Sequence, residues 1–326
     1  MFFLNTCTER ESLCYRECLC YIASVMTTLI NADLPLPLFI RGKVRDSYDL
    51  GNRLLIVATD RISVFDVVLP NGIPDKGSVL NHLSAFWFER TKDIIPDHLI
   101  EVVDNPNSLD SYLPVESRFS YPDYLARRSM VVKKAERIPI ECVVRGYIAG
   151  SAWTEYVESG TVQGAPMAPD LQESQELSQP LFTPTTKAET GHDMPMSIDE
   201  VKEMVGEALA EELKEKSLAV YSYAKEYAKA KGIILADTKM EFGLDSGRLI
   251  LIDELLTPDS SRFWDAEQYK VGQPQPSYDK QPVRDWTAET GWDKQPPGPD
   301  LIPEVIEATT RRYREAYHKL TGKSIT

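Results

Sequence analysis

Two acids and a lysine stand at alternate positions in Asp237-Thr238-Lys239-Met240-Glu241-Phe242-Gly243. Side chains alternate across an extended strand, so Asp237, Lys239 and Glu241 share one face and Thr238, Met240 and Phe242 the other. An apolar run from Ile233 to Ala236 precedes them, and a turn at Leu244-Asp245-Ser246-Gly247 leads into a second run from Arg248 to Asp253, which is a β-hairpin pattern. With the turn centred near Ser246, Asp253 falls opposite Lys239 and joins Glu241 on the charged face. Two carboxylates flanking one small space suit Mg²⁺ carrying nucleotide phosphates, because that ion takes one or two carboxylates plus substrate oxygens. A solvated polar face with a cross-strand ion pair fits the same residues. The hairpin alone leaves both readings open.

Three other segments offer anion-binding chemistry. Gly42 and Lys43 open a hairpin in which a glycine permits close approach of a ligand and a lysine can reach phosphate oxygens, although a turn glycine with a surface lysine looks the same. Arg145 precedes the loop Gly146-Tyr147-Ile148-Ala149-Gly150, and Ser151 reads as a helix N-cap. Unpaired backbone N–H groups, a hydroxyl and a guanidinium would together make a phosphate site, the alternative being a capped helix beside a structural arginine. In Thr257-Pro258-Asp259-Ser260-Ser261-Arg262, turn chemistry would hold Ser260 and Arg262 close to Asp253. Lys187 and His192 lie in a polar segment that ends a long loop, where a solvated histidine and a base are both open readings. No Walker A or Gly-x-Gly-x-x-Gly pattern occurs.

The elements that would position these residues follow from periodicity. Arg41 to Tyr48 and Leu54 to Thr59 flank a turn at Asp49-Leu50-Gly51-Asn52, and Met130 to Lys134 and Ile140 to Arg145 read as a second hairpin. Helical spacing covers Leu80 to Lys92, Ser197 to Lys214, Leu218 to Lys231 and a closing helix from Glu304 to Leu320. Gln163 to Thr186, rich in Pro, Gln and Ser, reads as a long loop.

At 326 residues the chain can bury a sizeable core without disulfides or a structural metal. A net charge of −14 argues against nucleic-acid and anionic-membrane partners, so a phosphorylated ligand needs locally clustered Lys and Arg. No apolar run is long enough for a membrane span. Cys7, Cys14, Cys18 and Cys20 crowd the first stretch and leave only Cys142 in the body, which suits a reducing cytosol. The four lack a paired Cys-x-x-Cys arrangement and a nearby histidine, which argues against zinc. Residues 1–30 read as an extension outside the fold, with Met26 an alternative start.

Taken in order, these segments resemble the phosphoribosylaminoimidazole-succinocarboxamide synthase (SAICAR synthetase) family. The resemblance rests on Gly42-Lys43-Val44-Arg45-Asp46, on Ala58-Thr59-Asp60-Arg61-Ile62-Ser63 with Phe65-Asp66, and on Arg145-Gly146-Tyr147 with Gly150-Ser151-Ala152-Trp153. It continues through Phe182-Thr183-Pro184 with Thr186-Lys187-Ala188-Glu189, through the hairpin, through Thr257 to Trp264, and to Ser277-Tyr278-Asp279-Lys280-Gln281. It implies an α+β fold: a β-rich, kinase-like N-terminal lobe (31–135), an ATP-grasp-like lobe (136–268) and a C-terminal region with a closing helix (269–326). It also implies a cytoplasmic ligase, a monomer in the family's longer-chain branch, that uses ATP and Mg²⁺ to join L-aspartate to carboxyaminoimidazole ribonucleotide.

Residue roles come with the resemblance. Glu241 and Asp253 would hold Mg²⁺. Gly42, Lys43, Val44, Arg45 and Lys133 would contact ATP. Arg145, Ser151, Ser260 and Arg262 would hold the ribonucleotide, with Asp60 and Asp66 ordering its sugar or amine. Lys187 and Lys239 would stabilise charge at the reacting groups. The implied route activates the carboxylate as an acyl phosphate before the amine attacks. A small-molecule kinase or another carboxylate–amine ligase on the same platform is the nearest rival, and a nucleotide-sensing or scaffold protein that kept the fold is a second. Dependence of ADP formation on aspartate separates the ligase from the kinase.

Overall fold

The computed structural model describes residues 28–187 and 193–325. Cys7, Cys14, Cys18, Cys20, Met26 and His192 lie outside them. Strands β1 (Leu38–Arg41), β2 (Arg45–Asp49) and β3 (Arg53–Ala58) form a meander, and a hairpin of β4 (Arg61–Val64) and β5 (Val67–Gly72) follows. Helix α1 (Lys76–Thr91) then leads to β6 (Leu99–Val102) and β7 (Ser129–Lys133), completing an antiparallel sheet in the order β1-β2-β3-β7-β6. The expected turn after β2 is present, with Gly51 in the left-handed region at φ 91° and its N–H donated to Asp49 Oδ1 at 2.8 Å.

The second sheet begins with β8 (Glu136–Tyr147), followed by α2 (Ser151–Ser159), β9 (Thr161–Val162), β10 (Ala165–Pro166), β11 (Glu176–Phe182) and β12 (Thr185–Thr186). Helices α3 (Ile198–Val205) and α4 (Glu207–Lys229) precede β13 (Ile233–Asp245), β14 (Arg248–Ile252) and β15 (Ser261–Asp265). The order is β11-β8-β13-β14, with β12 also on β8 and β15 also on β13. Helices α5 (Gln281–Glu289) and α6 (Pro303–Thr321) close the chain, so the class is the expected α+β.

The main apolar core joins the second sheet to the helices, and the first sheet packs a separate one around Tyr48, Leu55, Val57 and Val131. Leu80, Leu83 and Trp87 recur at helical spacing on α1 and pack with Val220 and Tyr221 of α4, Met240 and Phe242 of β13, and Tyr313 of α6. Met240 and Phe242 thus occupy the packed face of β13, as alternation predicts, while Lys239 is exposed on the other. The segment before β6 joins the sheets: Leu251 N–H donates to Pro96 O at 2.9 Å, His98 N–H to Leu251 O at 3.0 Å, and Lys133 N–H to His98 O at 2.8 Å.

Four expectations are corrected. Strands β7 and β8 do not form a hairpin, because β7 pairs with β3 and β6 whereas β8 pairs in the second sheet. The chain crosses between sheets at Lys134-Ala135. The stretch 163–186 is not all loop, since β11 pairs with β8 as an edge strand whose register shifts between Glu176 and Leu181, where Pro180 cannot donate. The helical region breaks at Gly206, at φ 86°, and α4 continues unbroken through Ser217. Residues 29 and 30 belong to the fold: Leu29 N–H donates to Asp60 Oδ2 at 2.8 Å and Ile30 O accepts from Arg61 Nη1 at 2.6 Å.

Helices α1 and α6 are further joined by a buried charge cluster. Lys76, with no exposed surface, reaches Asp259 Oδ2 at 2.7 Å, and the Tyr313 hydroxyl donates to Asp259 Oδ1 at 2.5 Å. Burial alone would raise the Asp259 pKa, but Lys76, Lys280 and the Tyr313 hydrogen bond hold it well below the usual carboxylate range. Removing one partner strands a buried charge. Lys76→Met is therefore expected to lower unfolding free energy by about 3 kcal/mol, read from urea denaturation midpoints at neutral pH.

Candidate active site

Strand β13 sits between β8 and β15, and its pairings set two rows of charge on one open face. In the first row Asp237 faces Arg145 of β8 on one side and Arg262 of β15 on the other. Asp237 Oδ2 accepts from Arg145 Nη1 at 3.3 Å and from Arg262 Nη1 at 2.5 Å. Two guanidinium groups share one carboxylate, leaving the row net positive. Arg145 also donates to Thr183 Oγ1 at 3.0 Å and to Ser151 Oγ at 3.3 Å. Burial and the neighbouring Arg262 hold its pKa below the usual arginine value despite Asp237.

Ser151 is the first residue of α2, and Gly150 is its N-cap at φ 59°. The expected cap role for Ser151 thus moves one residue back. A Cβ on Gly150 would lie 2.2 Å from Arg262 Nη2, so only glycine lets that arginine reach the helix start. Unsatisfied N–H groups, a hydroxyl and two arginines converge there, and this is chemistry that binds a phosphate.

The second row contains Glu241 of β13 directly opposite Glu141 of β8. Like charges in that arrangement repel, and two lysines resolve the conflict. Lys187 Nζ lies 2.9 Å from Glu141 Oε1 and 2.8 Å from Glu241 Oε1, and Lys239 Nζ lies 2.8 Å from Glu141 Oε2. Burial pushes Glu141 up, but the two lysines bring it below its ordinary value. Glu241 behaves differently: burial and the nearby Asp253 raise it to about 7, with Lys187 and Arg45 opposing. Lys187, resisting burial between two carboxylates, is held above the usual lysine range.

Asp253 reaches this place by another route than the expected one. The turn residues Ser246 and Gly247 are both left-handed, at φ 54° and 82°, and Asp245 pairs with Arg248. This two-residue turn puts Ile252, not Asp253, on Glu241's side of the ladder, one residue off the predicted register. β14 ends at Ile252 and Asp253 adopts φ 65°, which releases it from the alternation. Its carboxylate then interacts electrostatically with Glu241 and accepts from Arg45 Nη2 at 2.7 Å. Arg45 also lies 3.3 Å from Glu254 Oε1, tying β2 of the first sheet to the strand end of the second.

The donor set fits magnesium. Among the described residues no group of three or more His, Cys, Asp or Glu could hold a metal by itself. Glu241 and Asp253 supply two carboxylates, which could hold such an ion and would leave positions on it for phosphate oxygens.

Other predicted residues are distributed around this face. Lys43 pairs with Asp66 across the first hairpins, both about half exposed. Arg61, quoted in a motif above but given no role there, donates to Gly42 O at 2.9 Å, Lys43 O at 3.1 Å and Asp46 Oδ1 at 2.7 Å, and so holds the Gly42-Lys43-Val44 loop from beneath. Lys133 is partly exposed, with Nζ 3.4 Å from Asp97 O and 3.8 Å from Asp245 Oδ2. Ser260 O accepts from Lys239 N–H at 2.8 Å, and Ser260 Oγ accepts from Thr257 N–H at 3.1 Å. Asp60 is corrected to a structural role: it is 1% exposed and its oxygens serve Leu29 N–H, Gly77 N–H and Arg128 Nη1.

Sequence reasoning also missed Glu141 and Glu254. The one available signal for Glu141 was a lone acid in the apolar run Ile140-Glu141-Cys142-Val143-Val144. Glu254 follows an acid that had already been singled out.

Comparisons with known proteins point to one chemistry. A family model described as SAICAR synthetase matches residues 38–299. A phosphoribosylaminoimidazole-succinocarboxamide synthase of Thermodesulfovibrio yellowstonii is 51% identical over 282 residues, covering 86% of this chain and 94% of that one. One from Elusimicrobium minutum is 50% identical over 295 residues, covering 90% and 99%. The solved structure of a SAICAR-synthase from Saccharomyces cerevisiae complexed with SAICAR matches with a TM-score of 0.83 at 45% identity, covering 92% of this chain and 100% of that one. A SAICAR synthetase in complex with ADP matches with a TM-score of 0.64 at 25% identity, covering 88% and 99%.

The raised Glu241 pKa has a consequence for stability without added metal. Between the ordinary Glu value of 4.5 and about 7 the folded protein keeps a proton that the unfolded chain has released. Stability is therefore expected to fall as pH rises through that window, by on the order of 2 kcal/mol, and Glu241→Gln should flatten the slope. Denaturant midpoints at pH 5 and pH 7.5 in the presence of a chelator, for both proteins, measure it.

Proposed function

That this chain belongs to the SAICAR synthetase family, whose members catalyse the ATP-dependent ligation of aspartate to carboxyaminoimidazole ribonucleotide in purine biosynthesis, is the premise from which we propose roles for its residues. One observation carries the reading. The arginine row and the carboxylate row lie on the same face of β13, four residues apart, which is roughly 13 Å along a strand. A substrate with a phosphate at one end and a carboxylate at the other spans that separation.

Arg145, Arg262 and Ser151 bind the ribonucleotide's phosphate, with the start of α2 adding its N–H groups and Ser260 lining the approach. The planar guanidinium donates in parallel pairs, so arginine outperforms lysine here. At the other end Lys187 and Lys239 face the reacting carboxylate and stabilise negative charge that builds up on it. Lys43 and Val44 offer backbone N–H groups and Lys43 an ammonium to ATP, while Gly42, whose N–H closes onto Arg45 O at 2.8 Å, shapes the loop they stand on, with Lys133 at the sheet junction and Asp66 orienting Lys43. ADP bound to a related SAICAR synthetase supports nucleotide binding. Arg45, expected to touch ATP, is engaged by Asp253 and Glu254, and its role is to aim Asp253.

Glu241 and Asp253 hold Mg²⁺, which when bound neutralises charge on the transferring phosphoryl group. A carboxylate resists amine attack because oxide would have to leave. Phosphorylation of the ribonucleotide's carboxylate converts the leaving group to phosphate, and the aspartate amine then displaces it at the carbonyl carbon. No protein nucleophile is required, and Cys142 is unsuited to the role: it is fully buried, and burial pushes its thiol up to about 12.

The sheet boundary at Lys134-Ala135 supports lobes at 31–135 and 136–268, with 269–326 as the closing region, and the fold's use of residues 29 and 30 moves the first boundary slightly earlier. The net charge of −14 supports small-molecule partners without nucleic acid. Among the described residues no helix is long and apolar enough to cross a membrane. A monomeric cytoplasmic enzyme is what the resemblance to the family's longer-chain branch implies.

Turnover with ATP, Mg²⁺, aspartate and the imidazole carboxylate, each omitted in turn, tests the reading. ADP release is expected to require all four, and release without aspartate would indicate a kinase. Glu241→Gln is expected to cut turnover by on the order of a thousandfold with the fold retained by circular dichroism. Arg262→Ala should raise KM for the ribonucleotide about 30-fold and leave KM for aspartate unchanged. The opposite pattern would reassign the residue.

A further inference from the structure

Glu141 is buried at 5% exposure, yet it accepts from two lysines, one on each carboxylate oxygen. One of them, Lys187, is shared with Glu241 at nearly equal distance, 2.9 Å against 2.8 Å. Together Glu141, Glu241, Lys187 and Lys239 are neutral. A divalent ion on Glu241 changes that balance, because an ammonium in contact with the same carboxylate repels it strongly. Lys187 must then lean on another anion, and among the described residues Glu141 is the other carboxylate in contact with it.

We propose that Glu141 is a positioning residue that draws Lys187 away from Glu241 and thereby leaves Glu241 available to the divalent metal. With both lysines on Glu141 that group carries one positive charge and lies toward the reacting carboxylate. Glu241 and Asp253 then present two negative charges to the ion, while Arg45 and Glu254 offset each other. The buried acid so serves both ends of the reaction, fixing two cations and freeing one anion. This inference rests on the assignment of Glu241 and Asp253 to the metal.

Mn²⁺ binding to the full chain, followed by loss of the free-ion electron paramagnetic resonance signal with and without ADP, tests it independently of turnover. Glu141→Gln is expected to weaken Mn²⁺ binding about tenfold or more, since Lys187 then remains on Glu241. Adding Lys187→Met in the same chain should restore affinity to within about twofold of the parent. A double variant as weak as Glu141→Gln would show that the acid only supports the fold, and unchanged binding by Glu141→Gln would also overturn the proposal. If Glu141→Gln does not fold, Lys187→Met alone decides: binding equal to or tighter than the parent is expected, and weaker binding overturns the competition. Glu241→Gln separates the two layers. Retention of Mn²⁺ in that variant would overturn the metal assignment itself, whereas its loss with normal binding by Glu141→Gln would overturn only the role given to Glu141.

Discussion

The pairing of one strand governs this protein's chemistry. β13 hydrogen-bonds to β8 on one side and to β14 and β15 on the other, so a side chain on its open face has cross-strand neighbours on both flanks. Asp237 meets an arginine from each side, and Glu241 meets Glu141. A slip of one residue would turn Met240 and Phe242 out of the core and bury Lys239 and Glu241. The apolar face therefore holds the register, with Met240 and Phe242 packed among the residues of α1, α4 and α6. Core packing and site geometry are the two faces of the same ladder.

Charge balance is the second constraint. The site gathers acids and bases at low exposure, where an unpaired charge is costly, and each is matched locally. Arg45 spans the two sheets to reach Asp253 and Glu254, Lys187 bridges Glu141 and Glu241, and Asp237 is shared by two arginines. The imbalances that remain are informative. Surplus positive charge beside the start of α2 suits a phosphate, and surplus negative charge at Glu241 and Asp253 suits a cation. Burial first, and the nearby Asp253 second, raise the Glu241 pKa.

Much of this was legible in local pattern. Alternation placed Asp237, Lys239 and Glu241 on one face, and turn chemistry marked the Gly42 loop and the segment from Thr257 to Arg262. Several features resisted. Asp253 was placed near Glu241 by a register that proved one residue off, and the proximity survived because a left-handed residue follows the last paired one. β7 and β8 read as a hairpin because a short gap between two β-rich runs does not say which sheet each will join. Asp60 read as a substrate ligand through the family resemblance, and a motif in the sequence does not reveal that its oxygens are already taken by Leu29, Gly77 and Arg128.

By itself the sequence determined the kinds of groups and their local spacing: which strand faces are apolar, where glycine permits a tight loop, and which family's motifs occur in order. These depend on neighbours in the chain, whose geometry is set by the repeat of the strand and the turn. Only the tertiary structure decided which distant groups meet. Arg145 and Arg262 converge on Asp237, Arg45 crosses to Asp253, and Glu141 sits beneath two lysines because sheet order and packing bring them together. Periodicity along a strand carries no information about the partner strand, and partner strands are where the site's charges are balanced.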